Sequence, residues 1–346
     1  MAGAAVAAAL GCGLLAVASA SLVYLVRALA GRWLVDVPNE RSSHVRPVPR
    51  GGGLGFVAPL LLTAALVWPF GGRAAFVVAG AAAIAAISLA DDLRPLSSRV
   101  RLAVQGASAI LALFATRFSV PFELPFGLHV EGMVAQLLWF LWIVGLTNAY
   151  NFMDGIDGIA GLQAVIGGLA WALVAGLKGD VHVGVLGAFL AAAVLGFLLH
   201  NWHPARIFMG DVGSAFLGYV FAVVPLLAHA SSPRASLIGL LIVSPFVLDA
   251  SFTFCRRLAK RENVFAAHRS HLYQRLVIAG YSHAVVSSAY GSLALVGGGL
   301  AVYLSLYDAA VACSVATLVL GVGLVLTVQR VERRVRAASV AAVSQE

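Results

Sequence analysis

Apolar runs of about 20 residues, repeated from the start of the chain to Thr327, leave this sequence few ways to fold. Inside a bilayer no water is at hand to satisfy backbone N–H and C=O groups, so a crossing segment must be a helix or part of a closed barrel. A barrel needs short strands that alternate apolar and polar faces. These runs are apolar all round and rich in Ala, Leu, Gly and Val, so they read as helices. Composition agrees: 61% of residues are hydrophobic and 11% charged, against about a quarter charged in a soluble domain. The expected fold is an all-α, polytopic helical bundle forming one membrane-embedded domain over residues 1–346.

The runs divide into about eleven spans, near 4–26, 52–70, 74–90, 101–117, 133–151, 158–177, 183–200, 214–229, 235–255, 284–304 and 308–329. Ten is the alternative, with the second and third joined as a re-entrant hairpin around Gly71, Gly72 and Arg73. Pro245 should kink the ninth span, because it cannot donate to the preceding turn. The first span lacks a basic leader and is expected to remain as an anchor. Arginines crowd one set of loops, Arg27 to Arg50, Arg94 to Arg101, Arg206, Arg256 to Arg275 and the tail from Arg330, while the other set holds Arg73, Arg117, Lys178 and Arg234. The positive-inside rule then sets the N-terminus outside and the C-terminus in the cytoplasm. The net charge of +8 is therefore mainly topological, and arginines scattered over loop ends do not form a nucleic-acid surface. Cys12, Cys255 and Cys313 stand alone in apolar segments and read as packing residues. The segment Phe118–Gly132 suits a surface hairpin, and Trp68, Trp139, Trp142 and Trp202 read as interface anchors.

Polar side chains are costly at a membrane, so their placement locates function. Five polar stretches fall on the expected cytoplasmic side, in loops 27–51, 91–101, 151–158, 200–214 and 256–283. Asp91 and Asp92 end the third span, and adjacent carboxylates call for a proton, an arginine or a metal ion. Asn148, Asn151, Asp154 and Asp157 recur every third residue and would share one broad helical face. Asp211, flanked by Gly210 and Gly213, opens a helix, where a carboxylate could hold a metal or simply cap the N-terminus. His268, Arg269 and His271 suit the oxygens of a diphosphate. The glycines Gly51–Gly53 would let backbone approach a ligand. Asp249, inside the ninth span, suggests no role.

Pro38-Asn-Glu-Arg-Ser-Ser-His44, Pro49-Arg-Gly-Gly-Gly53, Asp91-Asp92, Asn151-Phe-Met-Asp-Gly-Ile-Asp157 and Phe208-Met-Gly-Asp211, in this order, resemble the polyprenyl-phosphate N-acetylhexosamine-1-phosphate transferases. That membrane family includes the phospho-N-acetylmuramoyl-pentapeptide transferase of peptidoglycan synthesis. The resemblance implies attack by undecaprenyl phosphate on the β-phosphate of a UDP-N-acetylhexosamine, at the cytoplasmic face of a bacterial inner membrane, releasing UMP. It implies Mg2+ on Asp211, with Mn2+ as substitute, Asp91 as base and Asp92 as its electrostatic aid. It further implies a nucleotide pocket of Asn151, Asp154, Asp157, Asn201 and Phe208. His268, Arg269 and His271 would lie over the diphosphate, with Arg99 on the lipid phosphate and a homodimer as the assembly. The Ala267-His-Arg-Ser-His-Leu-Tyr-Gln-Arg275 form looks like the branch that starts O-antigen and related surface polysaccharides rather than the muramoyl branch. An ion-coupled secondary transporter is the rival reading, but its acids should lie at mid-bilayer within an inverted repeat. A CDP-alcohol phosphatidyltransferase would need Arg where Gly161 stands.

Overall fold

A computed structural model describes residues 2–30, 34–38, 46–67, 72–263 and 268–343. The apolar runs form α1 (Ala2–Ala30), α2 (Leu54–Val67), α3 (Ala74–Leu93), α4 (Ser98–Ala115), α5 (Gly132–Met153), α6 (Ile159–Lys178), α7 (Val181–Asn201) and α8 (Asp211–Ala228). They continue as α9 (Ala235–Ile242), α10 (Ser244–Ala259), the short α11 (Leu272–Ile278), α12 (His283–Tyr307) and α13 (Ala310–Val343). Two small antiparallel pairs complete the chain: β1 (Val35–Asp36) with β2 (Val48–Pro49), and β3 (Phe122–Leu124) with β4 (Leu128–Val130).

Among the described residues nine helices are long and apolar enough to cross a membrane, and the bent pair α9 and α10 makes ten. The chain is thus a multi-pass helical membrane protein. Of the eleventh expected span, near 52–70, the described residues hold α2, whose 14 residues rise about 21 Å. Trp68 and the stretch from Asn39 to Val45 lie outside the described residues. Pro245 acts as expected: α9 and α10 meet at Val243 with a 78° bend.

α8 is the axis of the bundle, with nearly every side chain from Val212 to Leu226 buried, and it packs on α3 and α5. Lipid tails are as apolar as leucine, so close backbone approach rather than hydrophobic drive holds such helices together. α6 and α7 cross at Gly168 and Gly187, where a Cβ on either would lie under 3 Å from the other's carbonyl oxygen.

The hairpin of β3 and β4 forms at one end of the bundle, as its sequence suggests. The buried Glu123 takes an ion pair from Arg234, which also pairs with Asp308, and Ser314 Oγ accepts from Phe126 N at 2.9 Å. Trp139 corrects an expectation. It is buried, with Nε1 donating to Val120 O at 3.2 Å, and wedges the hairpin onto α5 instead of anchoring in an interface. Trp142 likewise donates inward, to Ala222 O at 3.2 Å. Trp202 remains exposed. The three cysteines are unpaired, Cys313 buried and Cys255 exposed.

Candidate active site

At the end of the bundle opposite the hairpin, the polar stretches converge on the first turn of α8. The free N–H groups of a helix N-terminus need acceptors, and Asp92 supplies them from 119 residues away: its carboxylate accepts from Asp211 N at 3.2 Å and Val212 N at 3.0 Å. The Asp92 side chain is buried, with Arg50 Nη1 3.9 Å from its Oδ1, and Arg50 Nη2 donates to the Asp92 backbone carbonyl at 2.5 Å. Asp211 is therefore capped by another acid instead of being the cap itself.

Asp91 points the other way. Its Oδ1 accepts from Leu96 N at 2.6 Å and its Oδ2 from Arg101 Nη1 at 2.8 Å. The same Nη1 reaches Asp211 Oδ2 at 3.5 Å, so one guanidinium spans the two carboxylates. Asp154 follows the last residue of α5 and is half-buried, with no hydrogen bond to its carboxylate among the described residues. Burial, then the charges of Asp211, Asp92 and Asp157, push its carboxyl up to about 8. Four acids thus share a small region with two guanidinium groups, Arg50 and Arg101.

The expected common face of Asn148, Asn151, Asp154 and Asp157 does not form, because α5 stops at Met153. Asn148 exchanges hydrogen bonds with Gln105 on α4, its Nδ2 donating to Oε1 at 2.6 Å. Asn151 Oδ1 accepts from Ser214 Oγ on α8 at 2.5 Å. Asp157 turns toward two histidines, with Oδ2 at 2.7 Å from His203 Nδ1 and Oδ1 at 3.2 Å from His283 Nδ1. Burial opposes its charge, but hydrogen bonds from His283, His203 and Ala205 N prevail and hold the Asp157 carboxyl below its usual range.

Gly52 and Gly53 lie against protein backbone. Gly52 N donates to Phe208 O at 2.9 Å and Gly53 N to Met209 O at 2.8 Å. A Cβ on Gly53 would stand 2.5 Å from Gly213 Cα, so only glycine fits where this loop crosses α8. Phe208 is half-buried, and its backbone is bonded on both sides, with N donating to Pro49 O at 2.8 Å. Asn201 is buried and stitches two loops, accepting from Gly158 N and donating to Ile207 O, each at 3.0 Å.

His268 and His271 come together with ring centres 5.0 Å apart. His268 Nδ1 meets Ser270 Oγ at 2.9 Å, and Arg269 is half-buried beside them. His271 is buried, its Nδ1 3.1 Å from Asp249 Oδ1. The loop joins the rest of the site where Tyr273 Oη donates to Phe152 O at 3.0 Å. Arg99 stays exposed on the first turn of α4, two residues before Arg101. Ala267 lies outside the described residues.

Comparison with known proteins gives this arrangement a family. The sequence profile described as Glycosyl transferase family 4 matches residues 74–229, which hold Asp91, Asp92, Asp154 and Asp211. A probable undecaprenyl-phosphate N-acetylglucosaminyl 1-phosphate transferase of Bacillus subtilis (strain 168) is 35% identical over 260 residues, covering 72% of this chain and 71% of that protein. The chain belongs to the polyprenyl-phosphate N-acetylhexosamine-1-phosphate transferase family. A decaprenyl-phosphate N-acetylglucosaminephosphotransferase of Mycobacterium tuberculosis (strain CDC 1551 / Oshkosh) is 33% identical over 300 residues, covering 75% of this chain and 72% of that protein. A phospho-N-acetylmuramoyl-pentapeptide-transferase of Synechococcus sp. (strain RCC307) matches over 70 residues, 20% of this chain. Membership makes the protein a transferase.

Asp249 gains a role that its sequence context does not suggest. Fully buried in α10, it accepts from Leu272 N at 2.9 Å, Tyr273 N at 3.1 Å and Tyr290 Oη at 2.5 Å. It thereby caps α11 and sets the ring of His271. The available signal was an acid among apolar neighbours, a placement that is rarely idle. Arg50, Arg101, His203 and His283 are further site residues that the sequence leaves without roles.

Proposed function

We propose that the protein transfers N-acetylhexosamine-1-phosphate from a UDP-sugar to undecaprenyl phosphate, releasing UMP and forming a lipid-diphosphate-linked sugar. The observation that carries this reading is the arrangement at the head of α8, where Arg101 bridges Asp91 and Asp211 and Asp154 stands close by. Such a surplus of carboxylate oxygens, without nitrogen or sulfur donors among the described residues, suits a hard cation. Mg2+, or Mn2+ in its place, would be held by Asp211, and when bound it would screen the diphosphate and polarise its β-phosphorus. The relatives' names support N-acetylglucosamine as the sugar, and the His268 loop form supports O-antigen or another surface polysaccharide as the product's fate.

In this reading an oxygen of the lipid phosphate forms a bond to the β-phosphorus, and the bond from that phosphorus to the bridging oxygen breaks, so UMP leaves with the electron pair. An ionised phosphate is already a nucleophile, so catalysis here is chiefly positioning and charge neutralisation. Asp91 takes the acceptor's remaining proton once Arg101 turns from it to the incoming phosphate, and Arg99 meets that phosphate from solvent. Asp92 fixes the direction of Asp211. Asn151, Asp154, Asp157, Asn201 and Phe208 form or support the nucleotide pocket, and His268, Arg269 and His271 neutralise the departing phosphate. The charge asymmetry between loops supports a cytoplasmic site in the bacterial inner membrane.

The test is direct. Purified protein given Mg2+, undecaprenyl phosphate and a panel of UDP-sugars should release UMP with at least one of them. No UMP with any donor, from protein shown to be folded, would refute the assignment.

A further inference from the structure

We propose that Asp157, His203 and His283 form a second metal site, which takes a borderline divalent cation such as Zn2+ at the rim of the candidate active site. The three side chains come from the turn between α5 and α6, the loop before α8, and the first residue of α12. Their donor atoms all lie within 4.8 Å of one another. The two imidazoles address different oxygens of one carboxylate, His203 Nδ1 at 2.7 Å from Oδ2 and His283 Nδ1 at 3.2 Å from Oδ1. Their ring planes are tilted 57° apart with centres at 5.5 Å, so they converge and do not stack.

The surroundings hold the ligands in place without the ion. Ala205 N donates to Asp157 Oδ2 at 3.1 Å, and Ser287 Oγ donates to Asp157 O at 2.7 Å. Asn201 ties Gly158 to Ile207, which fixes the Asp157 turn against the His203 loop. Outer-shell bonds of this kind are what orient metal ligands. Asp157 N also lies 3.4 Å from His283 Nδ1, so that nitrogen has a donor on one side and a carboxylate oxygen on the other.

Two ligands about 2.1 Å from one tetrahedral ion stand about 3.4 Å apart. The His283 contact is already near that spacing, and the His203 contact must open by about 0.7 Å, which its half-exposed ring permits. Two imidazole nitrogens and a carboxylate select Zn2+ and its neighbours, with the fourth position open toward the exposed side of His203. The all-oxygen set around Asp211 is instead suited to Mg2+, so the two sites should not compete for one ion. A bound ion would clip three segments together within a few residues of Phe208 and the α8 N-terminus.

This inference does not depend on the transfer reaction, and its test does not read UMP. Tag-free protein is stripped with chelator and titrated with Co2+, followed by visible absorption, and with Zn2+ against a chromogenic chelator. We expect one Zn2+ per chain and a Co2+ spectrum typical of a low-coordinate nitrogen and oxygen site. Affinity should fall about 100-fold or more in His203→Gln and in His283→Gln, hold in Asp211→Asn, and resist a large excess of Mg2+. A folded wild-type protein that binds no Zn2+, or a Co2+ spectrum of six oxygen ligands, overturns the proposal whether or not the variants fold. Equal affinity in both histidine variants overturns it too.

Discussion

Two helix starts, those of α8 and α11, meet the same local need with different results. Both use a carboxylate from a distant helix to satisfy free N–H groups, Asp92 for α8 and Asp249 for α11. Asp249 is then saturated, since His271, Tyr290 and Thr253 also point at it. Around Asp92 the count does not close. Asp91 and Asp211 add charge to that of Asp92 which Arg50 and Arg101 only partly offset, and Asp154 beside them is pushed toward its neutral form. A saturated acid is a structural post, and an under-neutralised set stores electrostatic strain that a cation or substrate can relieve.

The largest expected effect falls on the unsatisfied cluster. Asp211→Asn and Asp91→Asn should each lose UMP release by about 100-fold or more while the purified protein stays folded. Near-wild-type turnover in either would remove its assigned role. The converse holds for the saturated acid. Asp249→Ala strands several buried donors and should lower stability by on the order of 3 kcal/mol or more, read as a fall in unfolding temperature. An Asp249→Ala protein as stable as wild type would erase the distinction.

Arg101→Gln should cut turnover by roughly 10-fold yet lower the Mg2+ concentration needed for half-maximal rate, because the carboxylates lose their internal counter-ion. A higher Mg2+ requirement would mean that Arg101 does not screen the acids. A pH dependence follows as well. Asp154 titrates near 8 in the folded, ion-free protein and near 4 when unfolded, so the unfolded state releases its proton first. The raised carboxyl therefore costs stability as pH rises between those values. Unfolding temperature measured in chelator should fall across that window, and Asp154→Asn should flatten the fall. A wild-type profile as flat as the variant's would show that Asp154 is not held protonated.

The sequence revealed what depends on local pattern. The crossing helices, the break at Pro245, the hairpin near Phe122 and the start of α8 at Asp211 follow from hydropathy, proline chemistry and turn residues. What it concealed depends on partners far along the chain. Nothing near Asp92 says that it caps a helix 119 residues away, and nothing near Asp249 names Tyr290. The shared face imagined for Asn148 to Asp157 failed because helical spacing has no meaning beyond Met153, and the three residues Asn148, Asn151 and Asp157 then serve three different neighbours. Trp139 was misjudged because a tryptophan in an apolar run can face protein as readily as lipid.

The rivets of the hairpin have a mechanical corollary. Arg234 sits at the start of α9 and is tied to Glu123 and Asp308, and Ser236 in α9 accepts from Glu123 N at 2.9 Å. α9 is therefore a fixed mount, and any swing of α10 must pivot at Val243. With 16 residues, α10 is a lever about 24 Å long, and a 10° rotation would sweep its far end through about 4 Å. Asp249 rides on that arm with His271 in its grip, so a small change of angle at the pivot would carry the histidine pair toward or away from the acids.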